Sequence, residues 1–112
     1  MKKHLETIHH IAIPVTDIAA AVEFYTARFR VAVDYQDDSW ALLRFANTKL
    51  ALVIPDQHPP HIAVERADLE ADAHADARPI ATHRDGTRSL YIEDPWSNVI
   101  ELLETDGATD PS

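Results

Sequence analysis

The sequence predicts an α+β fold built from two tandem copies of one unit: strand, helix, then three strands. Three observations carry the prediction. First, His10-Ile11-Ala12-Ile13 recurs as His61-Ile62-Ala63-Val64, an offset of 51 residues. Second, the same offset places Asp17-Ile18 on Asp68-Leu69, Trp40 on Tyr91 and Asn47 on Asn98. One ungapped register thus aligns the start, middle and end of both halves. Third, strand-like and helix-like stretches follow one another in the same order in each half. Two copies make a tandem pair, since a solenoid needs about three repeats or more.

The elements follow in order. Ile8 to Val15 is apolar and rich in β-branched residues, which predicts a strand. Asp17 is placed to cap a helix over Ile18 to Phe29, where Ile18, Ala21, Val22, Tyr25 and Phe29 recur at helical spacing. A short strand is expected within Val31 to Tyr35. Two more, Trp40 to Phe45 and Lys49 to Ile54, flank a turn near Ala46-Asn47. Pro55 to Pro60 holds three prolines and reads as the linker between copies. The second copy opens with a strand at His61 to Val64 and a helix at Asp68 to Ala77, capped by Asp68. A short strand at Ile80 to His83 and a turn at Asp85-Gly86 come next. Ser89 to Glu93 and Val99 to Leu103 then form a hairpin around Asp94-Pro95-Trp96-Ser97.

These spans give a single domain over residues 1–112, with a first module at 8–54, a second at 61–104 and a polar, frayed tail at 105–112. Hydrophobic residues at 46% and charged residues at 26% describe an ordinary globule with a core. No apolar run approaches the roughly 20 residues that cross a bilayer. The basic start Met1-Lys2-Lys3 has no apolar run behind it, so a secretory leader is not expected. The chain has no cysteine, which excludes disulfides, zinc–thiolate sites and a cysteine nucleophile and fits a cytoplasmic location. Ten basic against nineteen acidic residues give a net charge of −9. Such a field repels nucleic acid and anionic membranes. Two glycines, Gly86 and Gly107, are too few for a phosphate-cradling loop.

Seven histidines point towards imidazole chemistry. Two of them, His10 and His61, open the first strand of each copy. Glu101 stands in the last strand among Val99, Ile100, Leu102 and Leu103, and the offset puts Leu50 in its place in the first copy. If the copies pack about a twofold axis, His10, His61 and Glu101 converge on one point. Two imidazoles and a carboxylate make a facial set for a divalent metal with open coordination positions. Taken singly, each has a plainer reading: a strand histidine is usually hydrogen-bonded or at the surface, and a strand glutamate solvated. Repetition favours the metal, and a buried Glu101 needs a partner. His9 faces the other way with Ile11 and Ile13, on a face expected to be packed. His4, His58, His74 and His83 read as surface or loop residues. Arg44 and Arg88 can meet an anionic substrate, although strand arginines are more often solvated pairs.

His-Ile-Ala-Ile-Pro-Val-Thr-Asp-Ile at 10–18, Glu-Phe-Tyr at 23–25, His-Ile-Ala-Val at 61–64 and Asp-Pro-Trp-Ser-Asn-Val-Ile-Glu-Leu at 94–102 resemble the vicinal oxygen chelate superfamily. That group includes glyoxalase I, bleomycin-resistance proteins, fosfomycin-resistance thiol transferases, methylmalonyl-CoA epimerase and extradiol dioxygenases. The resemblance spans about Ile8 to Glu104. It implies two βαβββ modules forming a curled mixed sheet around a cleft. It also implies one divalent ion (Fe, Mn, Ni, Co or Zn) held by His10, His61 and Glu101, with Glu101 catalytic. The thiol-transferase motif implies that Ser89 and Tyr91 face substrate, and the repeat then nominates Trp40, for which core packing is an equal reading. Glyoxalase I carries a carboxylate where this chain has Leu50, which disfavours that activity. Family members usually have glycine where this chain has Arg30 and Ser97.

Two functional classes follow. One is a metal-dependent enzyme (lyase, thiol transferase or dioxygenase) acting on a small oxygenated substrate by stabilising an oxyanion. The other is a metal-free, bleomycin-resistance-like protein that sequesters a small molecule; a scaffold with a vestigial site is a weaker third. A homodimer is expected by analogy with short family members and from exposed sheet edges.

Overall fold

The computed structural model describes residues 5–76, 79–82 and 86–104. The expectations for His4, His83, Asp85, Ala77 and the tail lie outside the described residues. Among those described, eight strands and two helices run in the order β1 (Ile8–Pro14), α1 (Ile18–Arg28), β2 (Ala32–Gln36), β3 (Trp40–Arg44), β4 (Lys49–Val53), β5 (His61–Arg66), α2 (Leu69–Asp76), β6 (Ala81–Thr82), β7 (Arg88–Glu93) and β8 (Val99–Glu104). This is a mixed α+β fold. Neither helix is long and apolar enough to cross a membrane. The chain divides into two compact units: residues 10–62, and residues 63–112 together with 1–9.

In the first unit the strand order is β2-β3-β4-β1, with β4 parallel to β1 and the other pairs antiparallel. Helix α1 begins where the Asp17 carboxylate accepts the Ala20 N–H at 3.0 Å. It ends at Phe29, whose extended backbone stops the helix. Its buried residues Ile18 and Val22 pack on Ala41, Leu43 and Leu52. Strand alternation sends Ala12, Ala51 and Val53 to the other face, where Trp40 and Leu42 join them. Ile13 packs on the helix side as expected, but Ile11 is 38% exposed. The apolar packing expected of that face therefore does not reach Ile11.

In the second unit the order is β5-β8-β7-β6. Strand β5 runs two residues further than its apolar pattern, and the Glu65 N–H donates to the Thr7 carbonyl at 3.0 Å. Leu69 of α2 is fully buried against Leu90 and Leu102, with Val64, Ile92 and Ile100 around them. Arg88 ties α2 to the sheet, with Nη1 2.8 Å from Glu70 and Nε 2.7 Å from Glu104. This guanidinium holds both carboxyls below their ordinary range. The β7–β8 turn is built on Asp94. Its Oδ1 accepts the N–H groups of Trp96 and Asn98, each at 2.9 Å, and its Oδ2 accepts the Asn98 amide. Ser97 in this turn has φ +70°, a left-handed conformation that favours glycine.

Candidate metal and substrate site

His10 and His61 meet within the first unit. Their Nε2 atoms are 3.2 Å apart, and the rings meet edge to face at 74°. The His61 Nδ1 lies 2.7 Å from the Pro59 carbonyl oxygen. A carbonyl only accepts, so Nδ1 carries the proton and donates it. A neutral His61 then presents an unprotonated Nε2 towards His10, which donates across the gap. Metal-binding histidines are commonly oriented in this way, with one ring nitrogen tied to a carbonyl and the other bearing a lone pair. The donor chemistry of the pair therefore fits a divalent ion.

Glu101 lies in the second unit and is 5% exposed. Directly across the antiparallel pair stands Tyr91. The Tyr91 hydroxyl is hydrogen-bonded to Ser89, which is fully buried, and to Glu101. Burial first, and then the Glu101 charge, push the Tyr91 hydroxyl up to about 12. It therefore keeps its proton and donates it to the carboxylate. Ser89 and Tyr91, nominated together as substrate-facing, and Glu101, nominated as a metal ligand, form one hydrogen-bonded row on one face of β7–β8.

Trp40 shares the face of Ala12 in the first unit, and by alternation that of His10. Its ring stacks on Tyr35 at 4.6 Å and meets the edge of His58 at 6.4 Å. His58, expected as a surface or loop residue, lies in the loop between β4 and β5 and is half-buried. Sequence reasoning also missed Asp37. Its carboxylate accepts from the Tyr35 hydroxyl and from the N–H groups of Ser39 and Trp40, at 2.8 and 3.0 Å. These bonds hold it well below the usual carboxylate range, with the Tyr35 hydroxyl foremost. The run Asp37-Asp38-Ser39 was the available signal for such a turn. Both candidate arginines are engaged elsewhere: Arg44 pairs with Asp34 at 3.1 Å and Arg88 with Glu70 and Glu104.

The hairpin turns correct the repeat arithmetic. In the first unit the Phe45 N–H donates to the Thr48 carbonyl and leaves two residues in the turn. In the second, the Asp94 N–H donates to the Asn98 carbonyl and leaves three. Counted from these closing pairs, Glu101 corresponds to Ala51, Tyr91 to Leu42 and Ser89 to Trp40. Leu50 packs on the α1 side with Ile18 and Leu43, the face opposite to Ala51. Leu50 is therefore a core residue, not the place of a missing ligand.

Solved structures share this fold. Methylmalonyl-CoA epimerase from Mycobacterium tuberculosis matches with a TM-score of 0.72 at 18% identity, over 93% of this chain and 91% of that one. A Streptomyces coelicolor methylmalonyl-CoA epimerase variant in complex with 2-nitronate-propionyl-CoA matches with a TM-score of 0.73 at 22% identity, over 96% and 100%. A glyoxalase/bleomycin resistance protein/dioxygenase superfamily member from Vibrio splendidus matches with a TM-score of 0.68 at 11% identity, over 90% and 100%. At these identities the likeness is one of fold. No curated protein matches the sequence. The family model for the Glyoxalase/Bleomycin resistance protein/Dioxygenase superfamily matches residues 7–102, a span that holds both histidine strands, the Asp94 turn and Glu101. The chain belongs to that superfamily.

Proposed function

We propose that the chain is a divalent-metal-dependent enzyme acting on a small oxygenated substrate, with His10, His61 and Glu101 as the metal ligands. The carrying observation is the histidine pair, in which the Pro59 carbonyl leaves the His61 Nε2 lone pair aimed at a second imidazole. The repeat adds the carboxylate. Ala51 lies opposite Ala12, two residues beyond His10 and on its face. Counted from the turn, Glu101 is the repeat counterpart of Ala51, as His61 is of His10. When bound, such an ion supplies Lewis-acid stabilisation of an oxyanion on the substrate. Glu101 contributes the negative charge of the set and the catalytic carboxylate. Trp40 offers an apolar surface to the substrate and Tyr91 a polar one, while Ser89, expected to face substrate, is fully buried behind Tyr91. Similar structures solved with CoA esters make thioesters a reasonable first substrate screen. The working form is proposed to be a cytoplasmic homodimer.

The test is metal analysis of protein purified without chelator, followed by Zn²⁺ titration of the depleted chain. Glu101→Gln is expected to weaken binding tenfold or more, whereas His74→Ala, exposed on α2, leaves it unchanged. A wild-type chain that takes up no divalent ion overturns this reading, and metal-free ligand sequestration takes its place.

A further inference from the structure

We infer that Tyr91 is a positioning residue: its hydroxyl, anchored by the buried Ser89, fixes one oxygen of the Glu101 carboxylate and so leaves the other to face a metal ion. The inference rests on the metal reading above and differs from the substrate contact expected for Tyr91.

The geometry is that of the β7–β8 pair. Tyr91 and Glu101 are direct cross-strand partners, and Ser89 is opposite Leu103, two residues along on the same face. Side chains at directly opposed positions lie within about 4.5–5.5 Å at Cβ, close enough for a tyrosine to reach a carboxylate. Glu101 is buried, so its charge requires hydrogen-bond donors near it. The phenol O–H is one such donor. Ser89 is fully buried and stands two residues before Tyr91 on the same face of β7, where its hydroxyl meets the phenol and completes the row Ser89, Tyr91, Glu101. Chains of this kind polarise, and each bond strengthens the next. A carboxylate with one oxygen occupied offers a divalent ion a single, oriented oxygen. Such outer partners typically account for 10–100-fold in metal affinity.

The experiment is a double-mutant cycle of Tyr91→Phe and Glu101→Gln, read by Zn²⁺ titration calorimetry and by thermal unfolding of the metal-free chain. Tyr91 is partly exposed, and phenylalanine removes only the hydroxyl, so the variant should fold. Tyr91→Phe is expected to weaken Zn²⁺ binding about 10–100-fold, with no further loss in the Glu101→Gln background. Ser89→Ala should weaken it in the same direction by less. Wild-type affinity in Tyr91→Phe overturns the inference and leaves the metal reading standing. No Zn²⁺ uptake by the wild-type chain overturns the metal reading instead. The hydrogen bond is then judged in the metal-free cycle, where each variant should lower the unfolding midpoint by roughly 5 °C and the pair by clearly less than the sum. Strictly additive losses overturn it.

Discussion

Replacing Leu50 with glutamate separates two readings of the repeat. By sequence offset, Leu50 stands where Glu101 stands, and a carboxylate there completes a ligand set. By turn geometry, Leu50 points to the α1 side and packs on the Ile18, Val22, Ala41, Leu43 and Leu52 cluster. Truncating a buried leucine costs about 2–5 kcal/mol, and Leu50 is half-buried, so about 2 kcal/mol applies. Setting a carboxylate against that apolar cluster adds roughly another 2 kcal/mol of desolvation. The total of about 4 kcal/mol lowers the unfolding midpoint by roughly 15 °C in a chain of this size. The assay is thermal unfolding by circular dichroism with parallel Zn²⁺ titration. Leu50→Met, which conserves volume, should cost less than about 1.5 kcal/mol. A Leu50→Glu chain that melts within about 3 °C of wild type and binds Zn²⁺ more tightly would refute the turn-based assignment.

Two further outcomes follow from the hairpin and the ion network. Ser97→Gly relieves a left-handed φ of +70° and should stabilise the chain by about 0.5–1 kcal/mol, measured by urea unfolding at constant m-value. The Glu104 carboxyl is held low, chiefly by its hydrogen bonds to Arg88, and Glu70 likewise. A carboxyl lowered on folding contributes stability that is present above its unfolded pKa, about 4.3, and lost as pH falls through the folded value. Unfolding midpoints recorded from pH 7 to 3 should therefore drop below about pH 5, and Arg88→Gln should flatten that drop.

What was legible in the sequence was local or repeated. Asp17 announced α1 because its cap bond spans three residues, and the helix starts at Ile18 as predicted. The extension of β5 to Arg66 was not legible, because Glu65 bonds to Thr7, far away in the chain. The extra turn residue was hidden because an ungapped alignment absorbs it: Asn47 matches Asn98 by letter, yet Asn98 closes its turn and Asn47 lies inside one. One residue is enough to send a strand's side chains to the other face, which is why Leu50 was misplaced. The histidine pair was legible as a repeat. Its orientation was not, since the atom that fixes the tautomer is a backbone carbonyl.

The corrected equivalence explains why the two copies differ chemically. At three corresponding positions the second unit has Ser89, Tyr91 and Glu101, and the first has Trp40, Leu42 and Ala51. In the second unit each polar group supports the next, and the row ends on a buried carboxylate. In the first, the same positions pack as an apolar cluster with Ala12 and Val53. A carboxylate placed at Ala51 would face the His10 side, yet the residue opposite it is Leu42, which has no hydroxyl to donate. The acid would be buried without the donor that Glu101 has, at a position only 2% exposed. Ala51→Glu alone should therefore destabilise the chain, and Ala51→Glu with Leu42→Tyr should recover part of the loss. If the double variant is no more stable than the single one, a cross-strand tyrosine is not what allows a buried carboxylate to stand at this place in the repeat.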